Sequence, residues 1–275
     1  MATKGLRSVN GNPAAMPLSK GPYKQSEDMT YEGNLRKSPG RYYLEEFYLQ
    51  RPAINGDIDQ VYTTEVARAA NKNFEVLGTN STTALTTFSA TEAGITMTTA
   101  GADNDQMILT PHLDATSDQT DSVTAWAGIQ WGTENQVIWE CAVRTPASVD
   151  DRLYWLGLKL TNTPAIATDA DQVFFRYSTD DSDTNWEIVD SIGDSDTATD
   201  SGVAVAVSTL YYFRIEIDSD RKAHFYIDDV EIYVSDALTN DVDFIPYIGV
   251  QQLDSGTGDR QLTVCYQKIS RILFE

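Results

Sequence analysis

The sequence predicts an all-β fold: two antiparallel sheets packed face to face, behind an extended amino-terminal arm. Three observations carry that prediction. Across residues 211–234, Phe213, Ile215 and Ile217 alternate with Arg214, Glu216 and Asp218, and beyond a polar turn Ala223, Phe225 and Ile227 alternate with His224 and Tyr226. A period of two over both arms makes an antiparallel hairpin with one buried face, and Asp228 and Asp229 turn it into a third short strand. One meander cannot bury its own apolar face, so the rest of the chain must supply a facing sheet. The remaining signals are short strand-like runs, with no repeat of roughly 20 to 50 residues that would mark a propeller or solenoid.

In chain order, the aromatics of residues 42–49 lead into a Pro- and Gly-bearing loop at 51–57. Residues 61–72 read as a short helix or irregular connection through Val66, Ala67, Ala69 and Ala70. Strands follow at 74–77, 84–88, 94–98 and 106–110, separated by turns rich in Thr, Asn, Gly and Asp. The middle holds runs at 125–131, 136–144 and 152–161. In the second of these Val137, Trp139, Cys141 and Val143 share the inward face, and in the third Tyr154, Leu156, Leu158 and Leu160 do. Strands at 172–177 and 186–189 come next, then a loop over 193–202 and a short strand at 203–207 before the meander. The closing strands are 244–250 and 261–274, and Pro246 argues for an edge or bulge because it cannot donate to a ladder.

Charge divides the chain in two. Residues 1–40 hold six basic and three acidic side chains, a net of +3 within a total of −21, which leaves −24 on the other 235 residues. Their scattered Gly and Pro give no stable period and no independent core. A basic arm on an acidic body points to a docking segment, with Lys4, Arg7, Lys20, Lys24, Arg36 and Lys37 as the candidate interface. The acidic body repels DNA and RNA backbones, so no direct nucleic-acid partner is expected. No apolar run of about eighteen residues is present to span a bilayer, and the start lacks the apolar core of a secretion signal, so the expectation is cytoplasmic synthesis with no membrane partner. Cys141 and Cys265 are too few for a disulfide framework and read as buried, unbonded thiols.

The order of signals from residue 210 on resembles the concanavalin A-like lectin/glucanase, or laminin-G-like, jelly roll. The matching phrases are Leu210-Tyr-Tyr-Phe-Arg-Ile-Glu-Ile-Asp218, the run from Lys222 to Ile232, the run from Phe244 to Gln251, and Arg260-Gln-Leu-Thr-Val-Cys-Tyr266. Asp229 occupies the Gly place of a Phe-Tyr-hydrophobic-Asp-Gly phrase common in such jelly rolls. The resemblance spans residues 70–275, with its motifs concentrated from 136 onward. It implies a jelly-roll body over 41–275 behind the arm of 1–40. Within that superfamily the chain resembles structural proteins of tailed bacteriophages, on the strength of its Gly- and Pro-bearing arm and its cysteine-poor body rich in Thr and Asp.

Candidate chemistry is sparse. Glu216, Asp218 and Asp220 resemble the alternating carboxylates that serve as nucleophile and acid/base on the concave face of certain retaining glucanases in the superfamily. Here Arg221 and Lys222 follow at once and the terminal Glu is missing, so no catalytic residue is assigned. Asp180, Asp181 and Asp183, and separately Asp194, Asp196 and Asp200, could offer oxygen ligands to calcium, but neither run fits an EF-hand loop; the metal question stays open and no cofactor is expected. His112 and His224 are too isolated for a histidine metal cluster. Trp155, on the face opposite Tyr154 and Leu156, is the candidate for stacking against a glycan.

The expected function is therefore a noncatalytic virion structural protein, a capsid decoration or head-fibre-associated protein held through its arm to a major capsid protein or another virion subunit, with homo-oligomers as a further expectation. Its location would be the virion surface after assembly in the host cytoplasm. The alternatives are a carbohydrate-binding module on a virion or cell surface and, behind it, a glycoside hydrolase.

Overall fold

The computed structural model describes residues 41–49, 52–54, 71–81, 85–89, 94–111, 131–254 and 260–272. The six arm residues, His112 and nearly all of 61–72 and 125–131 lie outside them; residues 71 and 72 open a strand, and so does Trp131. The strands are β1 (Arg41–Glu46), β2 (Pro52–Ile54), β3 (Asn71–Leu77), β4 (Thr86–Phe88), β5 (Ile95–Thr98), β6 (Gln106–Pro111), β7 (Trp131–Gly132), β8 (Ile138–Arg144) and β9 (Arg152–Lys159). They continue as β10 (Gln172–Ser178), β11 (Asn185–Ile192), β12 (Ser195–Ala204), β13 (Leu210–Ile217), β14 (Lys222–Ile227), β15 (Val230–Ala237), β16 (Asp243–Gln252) and β17 (Gln261–Ile272). The helical elements among the described residues are short 3-10 turns at Thr133–Asn135 and Ile166–Thr168, and none is long and apolar enough to cross a membrane.

Two sheets stack as the alternation demands, forming an all-β antiparallel jelly-roll sandwich. The first runs β15-β14-β13-β8-β17-β5-β4, with β1 also on β17; the second runs β12-β11-β10-β9-β16-β6-β3-β2, with β7 on β16. The described pairings are antiparallel except β2 with β3. In the lead-in, β1 joins the first sheet and β2 the second. Between the sheets Trp186 meets Phe213 edge-on at 4.8 Å and Tyr211 at 5.5 Å, while Phe175 packs on Phe213 at 4.7 Å and Phe225 at 5.3 Å. Aromatics from β10 and β11 thus interlock with those of β13 and β14, which is where the hairpin's apolar face is buried.

One local expectation needs revision, and another is met only locally. Residues 195–202, read as loop, form most of β12, and the turn is only Gly193 and Asp194, both in the left-handed region (φ 55° and 65°). β12 is an exposed edge strand, so its Ser, Thr and Asp residues carry no apolar alternation; its register is held by the β11 ladder and by bonds such as Ser191 to Asp196 (2.6 Å). Pro246 lies in an interior strand, but the β6 ladder spans only 248–251, and at Pro246 the Thr110 hydroxyl donates to its carbonyl (3.1 Å). The proline therefore occupies a point where the ladder to β6 has ended, a local edge. Cys141 and Cys265 are buried on the neighbouring strands β8 and β17 and are not joined in a disulfide.

Candidate functional site

The face of the second sheet that points away from the core is the first place to look for a ligand surface. In register there, Trp155 sits beside Arg176 and Gly249, Lys159 beside Gln172 and Ile245, and Phe174 beside Gly157. Trp155, Lys159, Phe174 and Tyr247 are all fully buried, so this face is closed at its centre over β9, β10 and β16. That corrects the expectation for Trp155: it does point away from Tyr154 and Leu156, but it is not exposed. Its indole lies across Gly249, where an added Cβ would come within 2.2 Å of the ring. Sequence alternation gave the side of the sheet correctly; it could not reveal that this side is covered too.

Beside Trp155 lies a buried polar network. The Lys159 ammonium pairs with Asp169 (3.0 Å), donates to the Gln172 amide oxygen and rests 4.5 Å from the centre of the Phe174 ring. Burial pulls the Lys159 pKa down, and the facing Asp169 carboxylate opposes that shift. Gln172 passes a hydrogen bond to the Ser191 hydroxyl (2.6 Å), which donates to Asp196. The network ties the 160–171 connection onto the sheet.

Among the described residues, an open concave feature lies on the outer face of the first sheet. Strands β13, β14 and β15 bring Glu216, Tyr226, His224 and Glu231 into one hollow of about 390 Å³, closed by Asp218 from the β13–β14 turn and by Arg41 and Gln136 from the far side. The hairpin register explains the grouping, for Glu216 faces His224, Arg214 faces Tyr226, and Tyr226 faces Glu231. Asp218 Oδ1 accepts the backbone N–H groups of Asp220 (2.8 Å) and Lys222 (2.9 Å), which folds the turn. Its Oδ2 lies 3.1 Å from His224 Nε2, and His224 Nδ1 lies 3.3 Å from Glu231. Tyr226 donates to the same Glu231 oxygen (2.7 Å), and the Arg214 guanidinium covers the Tyr226 ring at 4.0 Å.

These contacts set the charge states. Partial burial works to lower the His224 pKa, but hydrogen bonds to Asp218 and Glu231, with their negative charges, outweigh it and raise the pKa. Desolvation pushes the Asp218 pKa up, but the hydrogen bonds from the Lys222 N–H and His224 outweigh it, so it ends below its ordinary value. The Tyr226 hydroxyl and His224 hold Glu231 down as well. Next to the hollow, Glu140 faces Arg214 across the ladder and is pushed up to about 7 by burial, against the pull of Lys268 and Arg214.

The structure thus brings Glu216 and Asp218 to the same side of the hairpin, as the alternation implies, and leaves Asp220 out of the hollow. Both carboxylates are already engaged, Glu216 with Arg214 at 3.1 Å and Asp218 with its turn and His224. Residue-by-residue reading missed His224, Tyr226 and Glu231 as a group. The signal was present in part, since a two-residue turn at Asp228 and Asp229 places Tyr226 opposite Glu231, with His224 two residues along the same strand. Of the loop acids, Asp181 and Asp183 pair with Arg176 (3.2 and 3.4 Å), Asp200 takes bonds from Asn185 and Gly202, and among the described residues no group of three acid, His or Cys side chains is arranged to hold a metal.

No family model matches the sequence, and no curated protein matches it. Solved structures do match in fold. A protein of unknown function from Shewanella oneidensis superposes with a TM-score of 0.54 at 11% identity, covering 89% of this chain and 95% of that one. A Bacteroides ovatus mixed-linkage glucan GH16 protein, solved with a product, gives 0.52 at 7% identity (82% and 99% covered), and a Bacillus licheniformis β-glucanase 0.50 at 9% (84% and 97%). At such identities the likeness defines architecture: the chain is a module of the concanavalin A-like lectin/glucanase jelly-roll fold.

Proposed function

We propose that this chain is a noncatalytic carbohydrate-binding module whose ligand occupies the hollow of β13, β14 and β15. The observation that carries the reading is the hollow itself: an open depression with one aromatic ring, Tyr226, among fixed carboxylate, imidazole and guanidinium groups. Sugars are held by that combination of a ring face and planar polar groups, whereas the outer face of the second sheet is closed at its centre. The prior engagement of Glu216 and Asp218 favours binding over turnover, because a glycosidase needs one carboxyl to donate a proton and another to attack or activate water. Glycan-array screening followed by calorimetry tests it. Tyr226→Ala should lower affinity for any captured glycan about tenfold or more, with Tyr226→Phe close to wild type in fold and intermediate in affinity. Unchanged affinity in both variants would remove the hollow from the account.

A second, compatible reading is favoured by the charge contrast between residues 1–40 and the body. In it the module projects from a virion surface, and Lys4, Arg7, Lys20, Lys24, Arg36 and Lys37 attach it to an acidic neighbouring subunit. Deletion of residues 1–40 should then leave the body folded and abolish incorporation into particles; normal incorporation would count against this placement.

A further inference from the structure

The hydrogen-bonding pattern of the hollow narrows the class of glycan; the inference rests on the carbohydrate-binding reading above. Glu216 Oε1 is fixed by the Arg214 guanidinium at 3.1 Å, and Glu231 Oε2 by the Tyr226 hydroxyl at 2.7 Å and by His224. The other carboxylate oxygens, Glu216 Oε2 and Glu231 Oε1, have no partner among the described residues, so each side chain is anchored through one oxygen and leaves the other as an acceptor. At the rim Arg41 gives Nη1 to the Ser270 hydroxyl (2.9 Å) and Nη2 to the Gln136 carbonyl (3.1 Å). The Arg214 guanidinium pairs with Glu216 and lies over the Tyr226 ring. A ligand entering the hollow therefore meets preset acceptors, which call for donors on the ligand. Hydroxyl groups meet that demand, and a carboxylate or sulfate does not, since it would lie against two like charges on a body that already carries −24.

We propose that the hollow takes neutral, hydroxyl-rich glycans and excludes glycans bearing uronate or sulfate groups. The test is calorimetric titration of the full-length protein with two length-matched panels, neutral hexose oligosaccharides and uronate oligosaccharides, at low and moderate salt. Neutral ligands should bind at least about tenfold more tightly than uronates, the scale of one lost charge-assisted hydrogen bond. Glu216→Gln should weaken neutral binding about tenfold, and Glu216→Gln combined with Glu231→Gln should narrow the gap between panels, with folding of each variant checked by circular dichroism. Uronates that bind as tightly as neutral sugars would overturn the selectivity while leaving carbohydrate binding in place. Binding of neither panel would remove the carbohydrate reading, and this inference with it.

Discussion

At the scale of single residues, Asp229 and His224 show how far one position can be read. Asp229 stands where the related phrase has Gly, and the reason is in its backbone: Asp228 (φ 51°) and Asp229 (φ 67°) are both left-handed, as a two-residue hairpin turn with right-handed strand twist requires. Asp tolerates that region at a cost that Gly avoids, so Asp229→Gly should stabilise the protein by on the order of 1 kcal/mol in thermal or denaturant unfolding. His224 makes a different prediction. Its pKa is raised in the folded state, so its clamp between Asp218 and Glu231 is complete below its unfolded value of about 6.5 and is lost as pH rises through the folded value. Asp218 and Glu231 are lowered, so their share is present above about 4 and is lost as pH falls through their depressed values. The β14–β15 clamp should accordingly be tightest in the weakly acidic range between these limits. An NMR titration of the imidazole should show the elevated midpoint, and His224→Gln should flatten the alkaline limb of the stability profile; an ordinary midpoint would contradict the double contact. Trp155 marks where single-residue reading fails, because alternation fixes a side of the sheet and says nothing of what lies over that side.

Among the elements, strands with a buried face were legible and the exposed edge strand β12 was not. The hairpin of β13 and β14 alternates over its whole length and appears as expected, core residues Phe213, Ile215, Ile217, Phe225 and Ile227 included. β12 escaped notice because an exposed edge strand has no apolar face to betray it, and its acids and serines resemble a loop. The buried pair of Lys159 and Asp169 was equally hidden: the partners lie ten residues apart, and a Lys closing a strand reads as solvent-facing. Its energetics are asymmetric, since removing one charge leaves the other stranded. Asp169→Asn should therefore destabilise by about 3–5 kcal/mol in denaturant unfolding, with Lys159→Met on the same background recovering part of the loss. Equal stability of Asp169→Asn and wild type would mean that the pair is not closed off from water.

For the whole molecule, the sandwich follows from the number of half-apolar strands and the need to bury them, and the resemblance from residue 136 on located the meander correctly within it. The hollow was less legible because it is assembled from β1, the β7–β8 connection and three strands of the meander, and only the last group is local in sequence. The central claim is that a neutral glycan sits against Tyr226, His224 and Glu231. The most direct measurement is chemical-shift perturbation of the isotopically labelled full-length protein with a neutral oligosaccharide identified by array screening. The account predicts saturable shifts concentrated on β13, β14 and β15 around those three side chains, with the outer face of the second sheet unmoved. Shifts centred elsewhere on the sandwich would contradict it.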